Sequence, residues 1–187
     1  MNSIRKIFKL SALYIITPIV LVILVVAITA FAFSAGRDRD YVSIQNDGVY
    51  FGMSYNKLVK IKGQPYETLK SGLDTPFDYY SFREEIDGYS AESTYVFDNS
   101  LFGADLFSVN VSVQIDDLED AKNLFDSIYQ RLTEYYKTKK NYYNDPVSQN
   151  GPNSYSASLG TNNGATGISV DLDLENYTLT ISAFNQE

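Results

Sequence analysis

From Leu10 to Phe33 the chain carries no charge and is dominated by Ile, Leu, Val, Ala and Phe; beyond Gly36 its apolar positions fall into short periodic segments separated by Gly, Pro, Asn and Asp. The clearest segment is Phe107 to Ile115, where Phe107, Val109, Val111, Val113 and Ile115 alternate with Ser108, Asn110, Ser112 and Gln114. Period-two alternation of this kind predicts a strand with one buried face. Ile168, Val170, Leu172 and Leu174 alternate in the same way with Ser169, Asp171 and Asp173. Further strands are predicted over 77–85, 91–97, 154–159 and 177–183, and a short one over 48–51. Asn163-Gly164 and Glu175-Asn176 supply turns between them.

Two segments carry helical spacing. Ser54 opens a short one with Leu58, Val59 and Ile61, ended by Gly63 and Pro65. The stronger runs over 118–139, where Leu118, Ala121, Phe125, Ile128, Leu132 and Tyr135 form one apolar stripe. Asp116 and Glu119 stand at capping-box spacing before it, and Lys137, Lys139 and Lys140 suit its negative end. The stretch 141–153 reads as a loop. The order helix, three strands, long helix, three strands predicts an α+β fold of two layers. In it an antiparallel sheet carries both helices on one face, behind an N-terminal transmembrane helix.

The run 10–33, about 24 residues, is long enough to span a bilayer. Arg5, Lys6 and Lys9 precede it, so the positive-inside rule puts the N-terminus in the cytoplasm and the rest outside a single-pass cell membrane. The run exceeds the h-region of a signal peptide, so an uncleaved anchor is expected; cleavage at the Ala30-x-Ala32 pattern is the alternative. The expected organisation is a basic cytoplasmic segment 1–9, the span 10–33, a stalk 34–47 and an extracytoplasmic domain 48–187. The Asn-, Tyr-, Ile- and Lys-leaning composition fits a bacterial envelope.

The chain has no cysteine and no histidine, which removes disulfides, thiolate zinc sites, a Cys nucleophile and a Ser-His-Asp triad. Without the three N-terminal cations, 12 basic residues face 23 acidic ones, a net −11. A field of that sign repels nucleic acid and anionic head groups and favours a protein partner with a basic patch.

Phe51-Gly-Met-Ser54, then Leu58 and Gly63-Gln-Pro65, resembles the G-M-[ST] segment of the SmpA/OmlA (BamE-like) family. It is similar too to the opening of the tandem domains in β-lactamase inhibitory proteins. In these proteins the segment is a short helix or helical hairpin packed on an antiparallel sheet, and the roles are binding roles. The resemblance therefore implies a noncatalytic binding module.

No catalytic residues, metal ligands or cofactor are assigned from the pattern. Asp171, Asp173 and Glu175 invite a calcium reading, but on one strand face successive carboxylates stand about 7 Å apart. Glu84, Glu85 and Asp87 read as surface charge before a Gly88 turn. The candidate binding face is the polar side of the alternating strands: Ser108, Asn110, Ser112, Gln114, Ser169, Asp171, Asp173 and Thr180, with Thr178 and Ser182. Tyr142, Tyr143 and Tyr80 are added as surface candidates among 16 tyrosines. The expected function is an envelope-complex accessory or an inhibitor or immunity-type protein; the alternative is a sensor of a small ligand or cation.

Overall fold

The computed structural model describes residues 48–72, 76–99, 105–139, 142–149, 153–161 and 166–185, all within one compact unit, Arg39–Glu187. Segments 1–9, 10–33 and 34–47 lie outside the described residues. Among the described residues no helix is long and apolar enough to cross a membrane, so the expected spanning helix has no counterpart there.

The expected three-plus-three strand order is corrected to four plus four. Helix α1 (Tyr55–Lys62) is followed by β1 (Glu67–Leu69), β2 (Phe77–Ile86), β3 (Tyr89–Asp98) and β4 (Asp105–Gln114). Helix α2 (Leu118–Lys137) is followed by β5 (Tyr142–Gln149), β6 (Ser154–Thr161), β7 (Thr166–Asp173) and β8 (Thr178–Asn185). All eight strands form one antiparallel sheet in the order β1-β2-β3-β4-β8-β7-β6-β5. The protein is thus mainly a sheet, made of two helix-plus-meander halves joined where β4 meets β8. The two overlooked strands are its two outer edges. Segment 141–153, expected as a loop, contains β5, whose pairing shifts between Asp145 and Ser148 around Pro146. A ring without an N–H is tolerated at an edge bulge.

Register fixes which side chains share a face. Tyr80 pairs with Tyr95, Tyr95 with Val109, Val109 with Ala183, Ala183 with Ile168, and Ile168 with Leu159. All six are buried. Both helices lie on this face. Tyr55 of α1 stacks on Tyr80 (ring centroids 4.1 Å apart), and Phe125 of α2 meets Tyr155 of β6 at 6.3 Å.

Helix α1 is shorter in effect than its sequence suggests. Only Leu58 is buried from it, and Ile61 is exposed. Ser54 sits at the N-cap but makes no side-chain cap bond, its backbone instead bridging Asp105. The last turn is held by Lys62, which pairs with Glu84 at 2.7 Å while the Tyr95 hydroxyl donates to the same carboxylate at 2.8 Å. In α2 the cap is Asp117, not Asp116: its carboxylate accepts from the N–H of Glu119 and Asp120 at 2.8 and 3.2 Å. The buried stripe of α2 also holds Leu124 and ends on Tyr136, four residues beyond Leu132, rather than on Tyr135.

Strand β4 corrects one further expectation. Between Val96 and Phe97 the pairing with β3 slips, so Leu106 opposes Phe97 and Ser108 opposes Val96, leaving Phe107 as the extra residue. A bulge turns the side chain of its extra residue out of alternation. Leu106 is therefore buried, while Phe107 emerges on the opposite face and stacks on Phe77 at 5.7 Å.

Candidate protein-binding face

The helices leave the second face of the sheet uncovered by any described element, and rows of side chains cross it along the strand register. One row pairs Ser81, Thr94, Asn110, Ser182, Ser169 and Ser158 in succession. The next holds Arg83, Glu92, Ser112, Thr180, Asp171 and Ser156. Eight of the ten candidate residues, Ser108, Asn110, Ser112, Gln114, Thr180, Ser169, Asp171 and Asp173, thus come together around β8, although β4 and β7 lie far apart in sequence. Several are tied laterally. The Ser156 hydroxyl donates to Asp171 at 2.7 Å, Thr178 to Gln114 at 3.0 Å, and Ser108 to the Ala183 carbonyl at 3.0 Å.

The two tyrosines of the pair separate. Tyr143 lies on the open face, opposite Gly160. Tyr142 pairs with Thr161 on the helix-covered face, and its buried hydroxyl has no hydrogen-bond partner. Tyr80, expected at the surface, is buried beneath α1. One residue's displacement along a strand exchanges the two faces, so only one of two adjacent tyrosines can face outward.

A second component was not among the candidates. One row on the open face is apolar and aromatic: Leu69, Tyr79 and Val96, then past Ser108 to Phe184, Gly167, Gly160 and Tyr143. It crosses all eight strands, roughly 34 Å at the usual strand spacing. Phe77 stacked on Phe107 extends it. The two glycines are what let the rings lie down. A Cβ on Gly167 would come within 2.7 Å of the Phe184 ring, and one on Gly160 within 2.8 Å of the Tyr143 ring. Each ring covers backbone that a glycine leaves bare. Phe184 continues the parity of Thr178, Thr180 and Ser182, which is a sequence signal that could have placed it. Phe107 carried no such signal, because the bulge inverts its parity.

The remaining acidic groups are spoken for individually. Asp173 accepts from the N–H groups of Glu175 (2.8 Å) and Asn176 (3.4 Å) and from the Asn176 side chain (2.7 Å), and these bonds hold its carboxyl below the usual range. Glu175 accepts from Asn153. The expected two-residue turn is thus a four-residue one, Leu174–Tyr177, closed by Asp173. Glu84 and Glu85 occupy opposite faces of β2, and Asp87 takes both guanidinium nitrogens of Arg131, at 3.1 and 2.5 Å. Among the described residues no group of three acidic side chains is placed to hold a metal ion. A pocket of about 190 Å³ between α2 and β5–β7 is lined by Lys122, Phe125, Asp126, Val147, Tyr155 and Leu172. That is below the usual range for small-molecule sites.

A polar cluster under α1 ties the β1–β2 connection to the core. Asp78 is 4% exposed and accepts from the Ser71 N–H (2.7 Å), the Lys70 ammonium (2.9 Å) and the Tyr80 hydroxyl (3.1 Å). Lys70 also bonds Tyr80 and stands 4.5 Å from that ring's centroid. Burial pushes the Asp78 carboxyl up, but the bonds from Ser71, Lys70 and Tyr80 outweigh it and hold the group well below the usual range. A depressed folded pKa contributes stability that is complete above the unfolded value, about pH 4, and lost as pH falls through the folded one. Urea midpoints measured from pH 6 to pH 2 should therefore drop in acid. Asp78→Asn should start lower at neutral pH and show a shallower acid slope; an unchanged slope would refute the assignment.

Compared with known proteins, the chain matches no family model, no curated protein and no solved structure.

Proposed function

We propose that this protein is a noncatalytic protein-binding module that works at the cell membrane, held there by its apolar segment 10–33, with the open face of the sheet as its docking surface. The observation that carries this reading is the composition of that face. It joins a ring row, Tyr79, Phe77, Phe107, Phe184 and Tyr143, to a field of Ser, Thr, Asn and Asp with few long side chains. Aromatic side chains are enriched at interface cores, whereas Lys and Glu, whose ordering on binding is costly in entropy, are depleted there. The resemblance of the Gly52–Pro65 segment to binding proteins of two families supports the same class. An envelope-complex accessory and an inhibitor or immunity-type protein are the two roles that fit it.

The test is a photo-crosslinking amino acid placed, one position at a time, in the full-length chain in its own cells. Ser112, Asn110 and Ser182 report the open face; Gln130 and Glu134 on exposed turns of α2 report the other. Discrete adducts with one protein from the open-face positions alone are expected. Adducts from α2 alone, or none from either set, would overturn the reading.

A further inference from the structure

The described cations are segregated by layer. Lys57, Lys60 and Lys62 belong to α1, and Lys122, Arg131 and Lys137 to α2. Lys70 bonds Asp78 and Tyr80 of the helix-covered face, and Lys139 lies against Tyr135 just past α2. Among the described residues that leaves Arg83 as the one cation on the open face, and its guanidinium sits over the Tyr66 ring at 4.9 Å. The same face carries Glu85, Glu92, Asp145, Asp171 and Asp173, two of them opposite Arg83 or one pair along its strand. Asp98 and Asp105 share this face in the row of Phe77, while Glu92, Asp171, Glu85 and Asp173 stand in the rows on the other side of the ring row.

We propose that the open face takes a cationic segment of a partner protein, in extended form. Its apolar side chains would seat on the rings of Phe184, Tyr143, Phe77 and Phe107, and its Lys or Arg side chains would reach Asp171 and Glu92. This rests on the reading that the open face is the binding face, and adds the chemistry of what lies on it. Three features argue for this occupant. The sign of the field selects a basic partner, since a like-charged surface would meet more carboxylates than cations. The ring row and the row of Glu92 and Asp171 flank the row of Thr94, Asn110, Ser182 and Ser169, so a segment lying along that middle row, across the strands, could reach rings on one side and carboxylates on the other with alternate side chains. The rings lie flat over Gly160 and Gly167, which offers area without a deep pocket and suits an extended backbone better than a single inserted side chain.

Three synthetic peptides test it on the full-length chain in zwitterionic nanodiscs: alternating Leu-Arg, alternating Leu-Glu and alternating Gly-Arg, eight residues each. The Leu-Arg peptide should bind at least tenfold more tightly than either other. Phe184→Ser should weaken it at least tenfold. The pair Asp171→Asn with Glu92→Gln should weaken it several-fold and flatten its dependence on salt, while Glu119→Gln with Glu134→Gln on α2 should leave it unchanged. Circular dichroism of each variant separates lost binding from lost folding, and Tyr143→Ser at the sheet edge is the second ring variant if Phe184→Ser misfolds. Equal binding of Leu-Arg and Leu-Glu, no binding of any peptide, or loss only with the α2 pair would overturn the proposal. Open-face crosslinks to a partner whose contacting segment is acidic would overturn it as well, while leaving the docking surface itself standing.

Discussion

Phe97→Ala is expected to destabilise the fold by about 3–5 kcal/mol, a large share of the 5–15 kcal/mol that usually separates folded from unfolded chains. Phe97 is fully buried. It meets Tyr80 edge-on at 5.4 Å and Tyr55 edge-on at 6.2 Å, and those two rings stack on each other at 4.1 Å. The three rings are the contact through which α1 is held to β2 and β3, because Leu58 is the only buried side chain that α1 itself contributes. Removing the ring deletes its buried surface and leaves a void that the sheet backbone cannot close. The Lys70–Asp78–Tyr80 cluster should loosen with it, since Tyr80 is its wall. Urea unfolding at unchanged m-value reads the loss. Phe97→Leu should recover most of it, and a cost below about 1 kcal/mol for the alanine variant would show that the triad does not carry the packing.

What the sequence conveyed, and what it withheld, divides along physical lines. Alternation in β4 and β7 was readable because each strand has one face against the helices and one face free, so parity alone sorted Val111 from Ser112 and Val170 from Asp171. The strongest helix was readable because its apolar stripe repeats for five turns. Edges were not. Glu67-Thr-Leu69 is three exposed residues with nothing to bury, and β5 carries Pro146 and a polar pattern indistinguishable from a loop. At both edges pairing to a neighbour, rather than burial, makes the strand, and pairing leaves little trace in composition. The ring row was hidden for a related reason. It is assembled from one residue on each strand, and two of its members are glycines whose significance lies in the rings above them. Only the register, a property of distant pairs, brings Tyr143, Phe184 and Tyr79 into one line. Single-strand reading found the polar part of the candidate face and missed the aromatic part.

Ile181→Asp is expected to cost more than about 5 kcal/mol and so to unfold both halves together. Ile181 on β8 pairs with Val111 on β4 at the seam where the two meanders join, and both side chains are buried on the helix-covered face. A carboxylate there loses an isoleucine's packing, and no described cation lies beside this pair to compensate its charge. It must be protonated or drag water into the seam. Because β4 and β8 belong to different halves, the damage cannot be confined to one of them, and the protein should show a single transition by heat both before and after the substitution. The control lies one residue away. Thr180 faces the open side, so Thr180→Asp places the same carboxylate on the same strand in water, next to Asp171, and should change stability by no more than about 1 kcal/mol. If the effects were exchanged, with Thr180→Asp costly and Ile181→Asp nearly neutral, the register of β8 would be wrong by one residue. If Ile181→Asp left one half folded with its own transition, the eight strands would behave as two units that touch, and the continuous open face on which the binding proposal depends would not exist.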